Sequence, residues 1–121
     1  MGQSTGKPIE RFDSRDKVTG KALFPGDINF PDQVFMRTLF SLSPHAIIRQ
    51  IEFADAMRLP GVIAVLTAGD VPLNEYGLVT NDQPVLCGPN LTKAYSDRTR
   101  FIGDQVALVI AEDDHIAKKA E

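Results

Sequence analysis

A short apolar run constrains the fold of this chain more than any other feature of its sequence. Residues 62–67 read VIAVLT, and they lie between a Pro60-Gly61 break and the small, turn-forming residues 68–72, AGDVP. A continuous Val/Ile/Leu run of this length between breaks is typical of a β-strand that is covered on both faces. The sequence therefore predicts a covered strand over residues 62–67, followed by a tight turn.

Four other segments have the composition or the spacing of strands. Residues 34–41 are rich in β-branched and aromatic side chains, and residues 46–53 alternate with the period of two expected for a half-buried strand. Strands are also predicted at residues 21–24, before a turn at 25–27, and at residues 100–111, with Gly103 marking a bend or bulge.

Two short segments predict helices. Residues 54–59 form a helix that begins near Asp55 and ends before Pro60, because the residue before a proline avoids the α region. Residues 112–121 form a second helix, in which Asp113 or Asp114 caps the free amides at the start. Neither Gly nor Pro terminates this second helix, so we expect it to be truncated and the polypeptide to continue.

The order of these segments predicts an α+β domain with a mixed β-sheet and two short helices. Residues 1–20 are polar and contain turn formers, so they are expected to form an extended N-terminal arm before a folded domain over 21–121 that is incomplete at its C-terminus. Residues 72–99 are expected to be mostly loop, and a loop of that length suggests an interface or a site.

The charge and cysteine content exclude several classes of partner. The net charge is −3 and the 13 Lys and Arg residues are dispersed, which indicates neither nucleic acid nor an anionic membrane as a partner. No segment approaches the length of a membrane span, and Gly6 stands where a myristoylation signal requires Ser or Thr. Cys87 is the only cysteine and is interpreted as a loop or core thiol. A cytoplasmic chain is expected.

The motifs that could carry chemistry are all incomplete. Residues 2–8, GQSTGKP, have glycines one residue too close for a phosphate-binding loop and Pro8 in place of its hydroxyl. His45 is interpreted as a turn residue that donates to a carbonyl. Two clusters of polar residues lack the pattern of a metal site: residues 112–115, and Asp27 with Asn29 and Asp32. The glycosylation sequon at Asn90 carries little weight without a secretion signal. No catalytic, cofactor-binding or metal residue is assigned.

Three ordered segments resemble the xanthine dehydrogenase/aldehyde oxidase family. Residues 11–53 resemble its opening, in which an Arg-x-Asp-x-x-x-Lys-Val-Thr-Gly motif leads to strands and a Ser-Pro-His-Ala turn. Residues 59–72 are similar to its Leu-Pro-Gly-Val-x-Ala-Val-Leu-Thr-Ala-x-Asp-Val-Pro motif. Residues 100–113 resemble its Gly-x-x-Val-Ala-x-Val-x-Ala element.

This resemblance implies the N-terminal α/β-hammerhead domain of the molybdopterin-binding large subunit. In the family, the residues that bind the molybdenum cofactor lie further along the chain, and iron-sulfur clusters and FAD belong to partner domains or subunits. The resemblance therefore implies a non-catalytic domain that packs against cofactor-binding domains, is inactive alone, and can self-associate through apolar surface left exposed. The alternative is a free-standing structural or interaction domain with the same fold.

Overall fold

The computed structural model describes residues 6–89 and 95–121. By its internal contacts the chain divides into two compact units, Met1–Pro31 and Asp32–Glu121. The two units differ in what stabilises them.

The first unit contains a short helix, α1, at Ser14–Val18 and a 3-10 turn at Pro25–Asp27. Helix α1 lies where an extended arm was expected, and residues 21–24, expected to be a strand, lie outside any strand. Local side-chain contacts explain the helix: the Asp13 carboxylate accepts hydrogen bonds from Arg11 and pairs with Lys17 Nζ at 2.8 Å. The Thr19 hydroxyl donates to the Arg15 carbonyl at 2.7 Å at the other end.

The second unit contains a three-stranded sheet in the order β1-β5-β3 and a separate pair, β2 with β4. The strands are β1 Phe35–Phe40, β2 Ala46–Ile47, β3 Val62–Thr67, β4 Arg98–Thr99 and β5 Gln105–Ala111. Every strand pair within the described residues is antiparallel. The α+β class is therefore confirmed, whereas the mixed sheet is a wrong prediction, because composition alone does not reveal strand direction.

Strand β3 occupies the predicted residues but not the predicted environment. It lies at one side of the sheet, and Ile63 is 47% exposed. The strand that is covered is β5, where Val106, Ala107, Val109 and Ala111 are all buried. The prediction that 62–67 is covered on both faces is wrong, because an antiparallel sheet can leave an apolar strand partly open to solvent.

The strand predicted over residues 46–53 is much shorter in the structure. Only Ala46–Ile47 pair with β4, which is itself two residues long. The Ile48 amide donates to the Asp97 carbonyl at 2.7 Å, and the ladder ends there. The alternating pattern was therefore a poor guide to length, because a strand extends only as far as its partner does.

Two helices complete the second unit, α2 at Ala54–Met57 and α3 at Asp114–Ala120. Asp113 caps α3 by accepting from the amides of His115 at 2.7 Å and Ile116 at 3.3 Å, as predicted. Helix α3 contacts β1 and β5, and Ala117 on it is fully buried. No helix in the described residues is long and apolar enough to cross a membrane.

Candidate functional site

The long loop and a neighbouring turn enclose a cleft in the second unit. The loop expected over residues 72–99 is present where it is described, with only an isolated bridge between Tyr76 and Gln83 and the short strand β4. The cleft has a volume of about 330 Å³, within the range of small-molecule sites. It is lined from the loop by Tyr76, Asp82 and Gln83, and from the turn by Arg100, Phe101 and Asp104.

The side chain of Asn74 holds the loop side of the cleft, because it pairs with the backbone of Leu86 as a neighbouring strand would. Asn74 Oδ1 accepts from the Leu86 amide and Asn74 Nδ2 donates to the Leu86 carbonyl, both at 2.8 Å. Inside this clamp, Tyr76 and Gln83 exchange two backbone hydrogen bonds of 2.8 and 3.1 Å. Leu86 is fully buried and anchors the base of the loop.

The turn side of the cleft is closed by Asp104. Its carboxylate accepts hydrogen bonds from the backbone amides of Arg100 and Phe101. Gly103 has φ +108°, which confirms the predicted bend, and its amide donates to the Ser41 carbonyl at 3.0 Å. Asp104 therefore shapes the turn between β4 and β5, and its carboxylate is engaged by backbone amides.

Cys87 also lines the cleft and is a core thiol, one of the two interpretations that the sequence offered. Its side chain is buried, and the thiol donates to the Arg98 carbonyl at 3.7 Å. Burial raises the pKa of the Cys87 thiol, and the negative charge of Asp104 raises it further against the opposing effect of Arg100. A thiol of this kind stays protonated near neutral pH and is a poor nucleophile.

His45 does not have the role that its position suggested. Its side chain is exposed, and within the described residues its ring makes no hydrogen bond to a carbonyl, so that interpretation is wrong. The Ser-Pro-His-Ala turn is held instead by its neighbours. The Ser43 amide donates to the Ser41 hydroxyl at 3.1 Å, and the Ala46 amide donates to the buried Thr99 hydroxyl at 3.0 Å.

The acidic residues at the start of α3 are also held by local contacts. Asp113 caps the helix, while Asp114 accepts two hydrogen bonds from the Arg37 guanidinium, at 2.7 and 2.6 Å. Those hydrogen bonds lower the pKa of the Asp114 carboxyl. Across residues 6–89 and 95–121, no three His, Cys, Asp or Glu side chains lie together as metal ligands would.

The other motif residues have local roles where they are described. Asp27 accepts from the Phe24 amide at 2.9 Å and closes the turn at Pro25–Asp27. Asp70, in the AGDVP turn, accepts from the Thr67 amide at 2.7 Å and hydroxyl at 3.0 Å, and these hydrogen bonds lower the pKa of its carboxyl. Residues 2–5 and the Asn90 sequon lie outside the described residues.

Sequence reasoning missed the two loop residues on which the cleft depends most. Gly77 was visible only as one turn former among several, yet a Cβ there would lie 1.8 Å from the Thr80 carbonyl oxygen. The clamp by Asn74 joins residues twelve positions apart, and no local pattern reports such a pairing. The side chains that hold the cleft make hydrogen bonds to backbone groups. Within the described residues, none of these hydrogen bonds joins a nucleophilic side chain to a basic one.

Comparison with known proteins gives the family. A family model for "Aldehyde oxidase and xanthine dehydrogenase, a/b hammerhead domain" matches residues 19–121. A probable xanthine dehydrogenase of Bacillus subtilis (strain 168) has one subunit that is 42% identical over 111 residues, covering 91% of this chain and 14% of that protein. The nicotinate dehydrogenase large molybdopterin subunit of Eubacterium barkeri is 33% identical over 119 residues, which cover 98% of this chain and 26% of that protein.

A solved structure agrees with these relatives. The quinoline 2-oxidoreductase from Pseudomonas putida 86 superposes with a TM-score of 0.82 at 30% identity, covering 99% of this chain and 15% of that one. The chain thus spans a small part of the length of these three proteins. Because the family model matches all but the first 18 residues, this chain belongs to the aldehyde oxidase and xanthine dehydrogenase family and corresponds to the α/β-hammerhead domain of that family.

Proposed function

We propose that this chain is the non-catalytic hammerhead domain of a molybdenum hydroxylase of the xanthine dehydrogenase type, and that it packs against the cofactor-binding domains of the same large subunit. One observation carries the proposal: the likeness to the quinoline 2-oxidoreductase covers 99% of this chain but only 15% of that protein. The relatives therefore carry this domain together with much additional polypeptide. The activities in the names of these relatives therefore belong to proteins much longer than this domain.

The polar side chains described in the second unit support a structural role. Asn74, Asp70 and Asp104 each hold neighbouring backbone amides. The thiol of Cys87 is buried with a raised pKa, and His45 and His115 are exposed. Acid-base and nucleophilic catalysis require such groups to lie within hydrogen-bond reach of each other. Their use in local structure favours catalysis elsewhere in the parent enzyme.

The cofactors of the parent enzyme are assigned to other parts of it. The molybdopterin-type molybdenum cofactor supplies the redox chemistry when bound, and the carboxylates described in this chain do not form a ligand group for a metal. We assign the molybdenum cofactor to other domains of the large subunit, and the iron-sulfur clusters and FAD to partner domains or subunits. A reducing, cytoplasmic location suits the single cysteine.

The isolated chain provides the first test. We expect the purified protein to contain no stoichiometric molybdenum and to reduce no dye with purine, aldehyde or aromatic substrates. Metal analysis and a dye-reduction assay measure both. Stoichiometric molybdenum in the 121-residue chain would contradict the proposal.

A chimaera provides the second test. This chain replaces the matching segment of the Bacillus subtilis protein, to which it is 42% identical. We expect a folded large subunit whose molybdenum content equals that of the unmodified protein. If the chimaera fails to assemble while the isolated chain is folded and monomeric, the result favours the free-standing structural or interaction domain instead.

A further inference from the structure

The tip of the long loop presents apolar side chains fully to solvent. Leu78 is 105% exposed and Val79 is 96% exposed. The turn on the other side of the cleft also exposes large apolar side chains, with Phe101 at 58% and Ile102 at 64%. Large apolar side chains exposed on structured segments are typical of a surface that another protein covers.

The tip is held in one shape by the residues beneath it. At Gly77 a Cβ would lie 1.8 Å from the Thr80 carbonyl oxygen, so only glycine allows this turn. The Asn74 clamp and the Tyr76–Gln83 pair fix the two ends of the loop. A preorganised apolar tip loses little conformational entropy when it docks, which favours a specific protein contact.

The charges around the tip identify the chemistry of its partner. Residues 59–92 contain no Lys or Arg, whereas Asp70, Glu75 and Asp82 carry negative charge. The one cation among the residues that line the cleft is Arg100, on the opposite turn. The loop that carries the tip is acidic, so the tip itself favours neither nucleic acid nor anionic lipid headgroups. The complementary surface is an apolar protein pocket with a neutral or basic rim.

We propose that Leu78 and Val79 insert into an apolar pocket on the remainder of the large subunit, with Phe101 and Ile102 contacting its rim. This inference rests on the proposed function. The relatives carry the domain as 14% and 26% of a longer chain. A pocket on the same polypeptide is present at an effective concentration in roughly the millimolar range, which favours it over a second copy of this chain.

Hydrogen-deuterium exchange tests the location of the contact. The amide exchange of residues 76–83 is compared between the isolated chain and the same chain within the Bacillus subtilis chimaera. We expect exchange to slow by about tenfold or more in the chimaera, since docking protects the tip. A chimaera that assembles and takes up molybdenum, but whose tip exchanges as fast as in the isolated chain, overturns this inference and leaves the proposed function standing. A chimaera that does not assemble counts against both.

Matched substitutions test the chemistry of the contact. Leu78→Asp and Thr80→Asp add the same charge to the same turn, and both side chains are exposed. We expect both variants to leave the melting temperature of the isolated chain unchanged. In the chimaera, Leu78→Asp lowers it by several degrees, while Thr80→Asp lowers it by much less. Equal losses in the chimaera contradict an apolar contact at Leu78.

Sedimentation of the isolated chain tests the occupant. We expect any self-association of the wild-type chain to persist in Leu78→Asp, because the tip is reserved for the rest of the large subunit. A dimer that Leu78→Asp abolishes would identify a second copy as the occupant and overturn the inference.

Discussion

The two units of this chain are stabilised by different interactions. Among the described residues of the second unit, Asp32–Glu121, eleven are buried, and they include Leu86 and Ala117 at 0% exposure. In the first unit, none of the described residues 6–31 is buried, and Phe12 is 97% exposed. The described part of the first unit is ordered by local contacts, such as the hydrogen bonds of Asp13 with Arg11.

This difference separates local from tertiary stabilisation within one chain. Isolated helices as short as α1 are marginal in water, and exposed ion pairs contribute little to stability. The apolar side chains of the second unit's core remove surface from water, which is the dominant favourable term in folding. We therefore expect changes in the first unit to affect local structure and changes in the second to affect global stability.

The largest expected effect is the loss of a core side chain. Leu86→Ala removes a fully buried side chain, and we expect it to lower the free energy of unfolding by about 3 kcal/mol. Leu23→Ala is the matched change in the first unit, where the side chain is 74% exposed, and we expect a change within about 0.5 kcal/mol. Urea unfolding followed by circular dichroism measures both. Equal losses would show that the first unit buries apolar side chains in solution.

A smaller effect is expected from two glycines with positive φ. Gly61 has φ +87°, and a Cβ there would lie 2.6 Å from Ile116 Cδ1, whereas Gly20 has φ +72° and nothing within 4 Å. We expect Gly61→Ala to lower global stability by about 2 kcal/mol, from backbone strain and overpacking together. Gly20→Ala should leave the urea midpoint unchanged and reduce only the protection of α1 amides in NMR exchange. A shift of the midpoint in Gly20→Ala would break the distinction between the units.

A third effect concerns the cap of α3. Asp113→Ala removes the acceptor for the amides of His115 and Ile116, and we expect a loss of about 1 kcal/mol. Lys119→Ala, on the exposed side of the same helix, should change stability by less than about 0.5 kcal/mol. Thermal unfolding distinguishes the two. If they are equal, the cap is not maintained in solution.

The smallest effect is expected on acidification. The pKa of Asp114 is lowered by its hydrogen bonds with Arg37, and the pKa of Asp13 is lowered by Arg11 and Lys17. A lowered folded pKa means that stability is fully present above the ordinary carboxyl pKa of about 3.9 and is lost as the pH falls through the folded value. We therefore expect a urea midpoint that is constant from about pH 7 to pH 5 and declines below about pH 4.

Two variants assign this acid dependence to a unit. Asp114→Asn should weaken the decline below about pH 4, since the lost carboxylate belongs to the second unit. Asp13→Asn should leave the decline unchanged and alter only the NMR signals of α1. An acid response that follows Asp13 instead would indicate that the first unit contributes to global stability.

The sequence located most regular elements because they depend on local patterns. Strands β1, β3 and β5, helix α3 and its cap Asp113 lie where apolar runs and capping residues predicted them. The prediction from sequence failed for residues 46–53, because the strand with which they pair is only two residues long. It also missed α1, because that helix depends on side-chain contacts among residues 11–19. The cleft was foreseen only as a long loop that suggested a site, because Asn74 and Leu86 meet through the fold.

The sequence by itself determined the α+β class, the family resemblance and the use of Gly61, Asp70 and Gly103 as turn residues, because each depends on neighbours within a few positions. The tertiary structure alone decided that β5 is the covered strand, that all described strand pairs are antiparallel, and that the ring of His45 is exposed. It also decided that Leu78 and Val79 stand in solvent. Burial depends on which segments come together, and that pairing is set by contacts between residues distant in the chain.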